Sequence, residues 1–193
     1  MAADLPEGEA DADAVSRVLA AARTGAPRPV VLIDGGSGSG KSTLATALVA
    51  AWPGDVSLVR LDDVYPGWEG LAAASEHVRQ HTLGGDHPRW RRWDWQANRP
   101  GEWHAVDPRL PLIVEGCGSL SRANRALATL GVWLELDERE RRRRALARDG
   151  DAYAPYWDIW ARQERRFAAA EHPRDLADVV LPGGFGRTTG QPE

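Results

Sequence analysis

The stretch Val30–Ala51, VVLIDGGSGSGKSTLATALVAA, decides how the rest of the chain is read. Val30 to Ile33 is a continuous apolar run, the pattern of a strand buried on both faces. Gly35 to Thr43, GGSGSGKST, satisfies G-x-x-x-x-G-K-[ST], and STLATALVAA (Ser42–Ala51) after it has the composition of a helix. Glycines here let successive backbone N–H groups turn inward, and the following helix adds the partial positive charge of its N-terminus. Gly35, Gly36, Ser37, Gly38, Ser39, Gly40, Lys41, Ser42 and Thr43 are therefore the expected ATP-binding loop. Lys41 would bridge the β- and γ-phosphates, and Ser42 would offer its hydroxyl to Mg²⁺. A flexible Gly/Ser linker gives no reason for a lysine in that slot. Lys41 is the only lysine of the chain, whose 24 Lys plus Arg are otherwise all arginine. A slender ammonium enters a tight phosphate cradle that a planar guanidinium does not.

Outward from this loop, apolar runs and helical periodicity alternate. Ala10 to Thr24 reads as an amphipathic helix, Val56–Leu61 and Leu110–Val114 as strands, and Ser119–Leu130 as a helix. Val132–Leu136 is a further strand, Glu138–Arg148 and Tyr156–Glu171 are helical, and Asp178–Leu181 is a short last strand. Such alternation predicts an α/β, three-layer P-loop NTPase fold with a five-stranded parallel sheet. Residues 1–28 would form an N-terminal helix and linker, 29–185 the main domain and 186–193 a flexible tail. Leu83–Asp107 shows no clear periodicity, and Trp90, Trp93, Trp95 and Trp103 alternate in it with Arg89, Arg91, Arg92 and Arg99. It is expected to be an irregular binding segment, with a small satellite core as the alternative.

Composition narrows the function. The 193 residues carry a formal charge of −4, with 42% hydrophobic and 27% charged. That balance argues against general nucleic-acid coating or attachment to an anionic membrane. The acidic start has no signal-peptide pattern, and the lone Cys117 suits a reducing, cytoplasmic setting. With one lysine, the Asn-Lys-x-Asp motif of common GTPases is impossible. A kinase or compact ATPase remains, and a kinase needs a base, a carboxylate near the metal and positive charge over the transferred group. Asp62 and Asp63 follow the second strand, where one can cap the turn and the other act as base. Glu115 closes the third strand, the position for a carboxylate that joins Ser42 around Mg²⁺. Arg141, Arg144 and Arg148 share a helical face at i, i+3, i+7, which suits an anion among them. His77 and His81 read as an exposed helix face.

The order GGSGSGKST, Asp62-Asp63-Val64-Tyr65, Trp93-Asp94-Trp95, Ile113-Val114-Glu115-Gly116 and the arginine helix resembles the uridine kinase and phosphoribulokinase-like P-loop kinases. The resemblance covers about Val30 to Gly183. It implies that Asp62 is the base and that Asp94, with Trp93 and Trp95, helps hold the acceptor. Asp63 and Tyr65 would join the acceptor site. It also implies a lid over about residues 139–156, matched by Asp137, Arg141, Arg144, Arg148 and Asp149. Trp95 stands where the family has His, and Gly150–Tyr153 replaces its Glu-Arg-Gly-Arg. The expected activity is ATP- and Mg²⁺-dependent phosphorylation of a small-molecule hydroxyl, with a nucleoside first. The alternatives are a kinase for a sugar acid, vitamin precursor or nucleoside monophosphate, and an ATPase or nucleotide sensor with a protein or single-stranded nucleic acid partner.

Overall fold

In a computed structural model describing residues 7–24 and 26–185, the apolar runs form one parallel sheet. Its strands are β1 (Val30–Asp34), β2 (Ser57–Arg60), β5 (Leu112–Glu115), β6 (Leu130–Glu135) and β7 (Val179–Pro182), in the order β2-β5-β1-β6-β7. The uninterrupted apolar sequence of β1 is explained by two cores. Val30 and Leu32 face one layer with Leu112 and Val114, while Val31 and Ile33 face the other with Ile113 and Leu134. The helices α1 (Glu7–Ala22) and α2 (Lys41–Ala51) cover the second face through Val15, Val18, Leu44 and Leu48. On the first face, α3 (Leu71–His77) and α6 (Trp157–Glu171) contribute Leu71, Ala74, Trp157 and Trp160. These are the three expected layers, and among the described residues no helix is long and apolar enough to cross a membrane.

Two expectations are corrected. Leu83–Asp107 is not irregular: β3 (Arg89–Asp94) and β4 (Arg99–Ala105) form a separate antiparallel hairpin. A register shift opposite Arg92 sets two residues of β4, Gly101 and Glu102, against one of β3, and neither strand keeps the alternation that would have revealed it. Within it Trp90 stacks on His104 and packs against the main core, and Trp103 contacts both Arg89 and His77. His77 is consequently half-buried against the hairpin, where it accepts the Arg91 N–H; burial, then the charges of His81 and Arg91, push its pKa down to about 4.

The second correction is that Ser119–Leu130 is not one helix. Only α4 (Arg122–Arg125) forms, capped by Ser121, whose Oγ accepts the Asn124 N–H. Residues ahead of it are held in a turn by Asp34, which accepts N–H groups of Gly118 and Leu120. The expected tail, 186–193, lies outside the described residues, and the expected lid is α5 (Glu138–Asp149) followed by 3₁₀ turns over Gly150–Ala152 and Ala154–Tyr156. A short α7 (Pro173–Leu176) precedes β7.

Candidate active site

Parallel pairing brings the carboxyl ends of β1, β2 and β5 to one level, with Ile33 and Arg60 both beside Glu115. The loop from β1 turns there into α2. Gly38 and Gly40 adopt φ values of +83° and +100°, a region that side-chain-bearing residues avoid. A Cβ on Gly38 would lie 2.2 Å from the Arg141 carbonyl oxygen, so α5 packs directly on the loop. Lys41 is buried, and its Nζ donates to the Gly36 carbonyl at 3.1 Å and lies 3.4 Å from the Cys117 Sγ. Burial works against its charge, the Cys117 sulfur and the carboxylates of Glu115, Glu164 and Asp34 favour it, and the net pKa lies above that of an ordinary lysine. Burial raises Cys117 strongly, which keeps it a neutral thiol.

A cavity of about 400 Å³ runs from this loop to an aromatic chamber. Ser37, Gly38 and Gly40 to Thr43 line one part, with Glu115 and Cys117; Asp62, Tyr65, Trp68, Trp95, Tyr153 and Trp160 line the rest. Asp62 sits on a single 3₁₀ turn over Leu61–Asp63 that directly continues β2. Its charge is felt by Glu115 and by Arg148, which reaches the cavity wall paired to Asp149. Tyr65 is buried; its hydroxyl donates to the Cys117 carbonyl at 2.9 Å, and its ring meets Trp160 edge-on at 4.6 Å. The Trp95 indole N–H donates to the Asp62 carbonyl at 2.9 Å, joining the hairpin to that turn. Trp68 stacks on Tyr156 at 4.2 Å and 5° and touches both Trp95 and Tyr153.

Glu115 tests whether the site suits a cation. It is buried, its pKa is raised chiefly by that burial, and its Oε1 has no hydrogen-bond partner, with Arg60 Nε 3.7 Å away. An orphaned carboxylate oxygen beside the Ser42 side chain fits a Mg²⁺ shell. The loop likewise fits phosphate, because Ser37, Gly38 and Gly40 to Thr43 line the cavity at the start of α2 with the buried Lys41 among them.

Not every expected site residue meets here. Asp63, Trp93 and Asp94 do not line the cavity. The Asp94 Oδ1 accepts the N–H groups of Gln96 and Ala97 and so closes the hairpin turn. Asp137 caps α5 by accepting from Arg139 and Glu140. Arg141 and Arg144 share a face as expected, but that face meets the outer side of the loop. Arg141 donates to the Ser37 carbonyl and pairs with Glu164, whereas Arg144 donates to the carbonyls of Gly38, Gly184 and Phe185. Only Arg148 of the three lines the cavity. Sequence reasoning missed Trp68, Tyr153, Trp160 and Asp149 as cavity walls. The aromatic spacing of Tyr153, Tyr156, Trp157 and Trp160 was the available signal for part of this set.

Comparison with known proteins bears on the fold. No family model matches the chain, and no curated protein does. Among solved structures, one described as a possible uridine kinase from Bacillus stearothermophilus superposes with a TM-score of 0.62 at 18% identity, covering 90% of this chain and 98% of that one. A structure assigned as a fructose transport system kinase from Silicibacter sp. TM1040 gives 0.56 at 20% identity, covering 89% and 98%. The α/β architecture with its five-stranded parallel sheet is thus a fold that this chain shares with both structures.

Proposed function

We propose that this chain is an ATP-dependent kinase that phosphorylates a hydroxyl of a small molecule built on a planar ring, a nucleoside being the first candidate. The observation that carries this reading is one continuous cavity that joins a phosphate loop to an aromatic chamber, with Asp62 on its wall. Lys41 and the backbone N–H groups of the loop would hold the nucleotide phosphates. Ser42 and Glu115 would hold Mg²⁺, which neutralises phosphate charge when bound. Asp62, at the end of β2, would orient the acceptor hydroxyl and take its proton. Arg148 stands where it can face negative charge developing on the transferred group.

The ring preference rests on an inventory of polar groups. The Trp95 N–H and the Tyr65 O–H are already spent on carbonyls. Apart from Asp62 and the Arg148–Asp149 pair, the chamber offers the buried Tyr153 hydroxyl and the faces of Trp68, Trp95 and Trp160. A polyol such as a sugar acid would leave most of its hydroxyls unpaired there, at roughly 1–3 kcal/mol each. A flat ring instead gains contact with aromatic faces. A reducing cytoplasm is the compartment proposed from the lone cysteine, Cys117.

ADP release from Mg-ATP, across a panel of nucleosides, nucleotides, sugars, sugar acids and vitamin precursors, tests the reading. Stimulation by ring-bearing alcohols and not by polyols is expected. Acceptor-independent hydrolysis at intact nucleotide binding would replace the kinase with an ATPase or sensor.

A further inference from the structure

Ser37, at the apex of the phosphate loop, is gripped by groups that the motif does not explain. Its N–H donates to Glu164 Oε1 at 2.6 Å, and its carbonyl accepts from Arg141 Nη1 at 3.1 Å. The same Arg141 nitrogen lies 2.9 Å from Glu164 Oε2. The two side chains are only 13% and 10% exposed. An ion pair so far out of water gives little net stability over apolar residues of equal volume. What it does supply is geometry, because the two successive peptide units flanking the Ser37 Cα are both held. The Tyr153 hydroxyl stands beside the Ser37 side chain on the cavity side.

Glu164 belongs to α6, which also builds the aromatic chamber. Trp160, one helical turn earlier, is a chamber wall. Gln163 donates to the Trp68 carbonyl at 2.6 Å and accepts the Leu71 N–H at 3.3 Å, fixing the segment that carries Trp68. One rigid helix therefore supports both the acceptor wall and the loop apex.

We propose that Glu164 is a positioning residue for phosphoryl transfer: acting through the Ser37 peptide, with Arg141, it sets the loop apex relative to the acceptor wall carried by the same helix. The role presupposes the kinase reading. The cradle amides that follow Ser37 run into α2 and are ordered by it, so loss of Glu164 disturbs alignment for transfer more than nucleotide binding.

The test compares Glu164→Ala and Glu164→Gln with the intact chain. Glutamine keeps an oxygen for the Ser37 N–H but gives up the charge, while alanine gives up both. The readouts are kcat and KM for ATP with a stimulating acceptor, calorimetric Mg-ADP affinity, and amide hydrogen exchange at Ser37. Glu164→Ala is expected to lower kcat roughly 10- to 100-fold and to accelerate Ser37 exchange. ATP KM and ADP affinity are expected to stay within about 3-fold. Glu164→Gln should restore Ser37 protection and part of kcat. A raised ATP KM at unchanged kcat, or a lower Tm with intact kinetics, would overturn the proposal. If the alanine variant does not fold, the glutamine variant decides by its kinetics: a smaller loss of kcat at unchanged ATP KM supports the proposal, and an unchanged kcat overturns it. Exchange and ADP affinity need no turnover: a protein that phosphorylates no acceptor refutes the kinase reading, whereas unchanged Ser37 exchange in Glu164→Ala refutes the grip itself.

Discussion

Replacing Arg144 by methionine separates two roles for the arginine helix. A guanidinium over the transferred phosphoryl group would affect turnover alone. The geometry gives Arg144 a different role, because Nε reaches the Gly38 carbonyl at 3.1 Å, Nη1 the Gly184 carbonyl at 3.0 Å, and Nη2 the Phe185 carbonyl. It therefore ties the loop to the turn after β7, which also donates the Gly184 N–H to the Ser39 carbonyl at 2.9 Å. Hydrogen bonds to a charged donor contribute about 1.5–3 kcal/mol each. The three share one guanidinium and a half-buried setting, so water recovers part of the loss, and about 3 kcal/mol is the net expectation. For a domain of this size that lowers Tm by roughly 6–12 °C. The loosened loop should also bind Mg-ADP about tenfold more weakly, an effect of about 1.4 kcal/mol. Methionine keeps the length of the stem, so packing changes little. Thermal unfolding with and without Mg-ADP, alongside kcat, gives the measurement. A variant with unaltered Tm and ADP affinity but depressed kcat would refute the clamp and return Arg144 to the reacting group.

Asp62→Asn is expected to keep nucleotide affinity within a few-fold while kcat falls by roughly 10²–10⁴, the usual contribution of a positioned base; unimpaired turnover would move the role to Asp63. Trp68→Ala should raise acceptor KM about tenfold or more with little change in ATP KM, because its stacks with Tyr156 and Tyr153 shape the chamber alone; an equal rise in both constants would contradict that division. Asp34 predicts a pH dependence: burial pushes its pKa up to about 6, against the opposing N–H bonds from Leu120, Gly35 and Gly118 and the charge of Lys41. The native state then holds a proton that the unfolded chain has released, so this group's contribution to stability falls as pH rises from about 4 to about 6, by about 3 kcal/mol in all. Asp34→Asn should remove that slope, and denaturant titrations of both proteins giving parallel pH curves would show the reasoning to be wrong.

What could be read in advance was local in sequence. The phosphate loop is fixed by adjacent residues, so Val30–Ala51 carries its strand, turn and helix in its own order. Asp62 and Glu115 were legible for a related reason. Each ends a strand, and a parallel sheet delivers strand ends to a common edge whatever lies between them. The hairpin was hidden because burial does not alternate along either strand, and β4 carries an extra residue opposite Arg92. The long helix expected after Ser119 was overruled by a distant group, the Asp34 carboxylate, which captures two N–H groups in a turn. Periodicity has no access to such a contact.

The arginine helix marks where spacing stops being informative. The i, i+3, i+7 rule states which side chains share a face and not what that face meets. Phosphate oxygens and backbone carbonyls are both acceptors for a guanidinium, so one pattern serves an anion site and a loop clamp equally well. Arg141 and Arg144 meet carbonyls, and Arg148, a turn further on, meets the cavity. The same degeneracy affected Asp94. A carboxylate flanked by tryptophans suits an acceptor site, and it suits an Asx turn that ends a strand just as well. Of the three residues the resemblance put forward, Trp95 makes the contact to the Asp62 turn. For the arginines the deciding partners lie far away in the chain, for Asp94 they lie two and three residues on, and in each case the neighbour that lines the cavity, Arg148 or Trp95, is the one to test first.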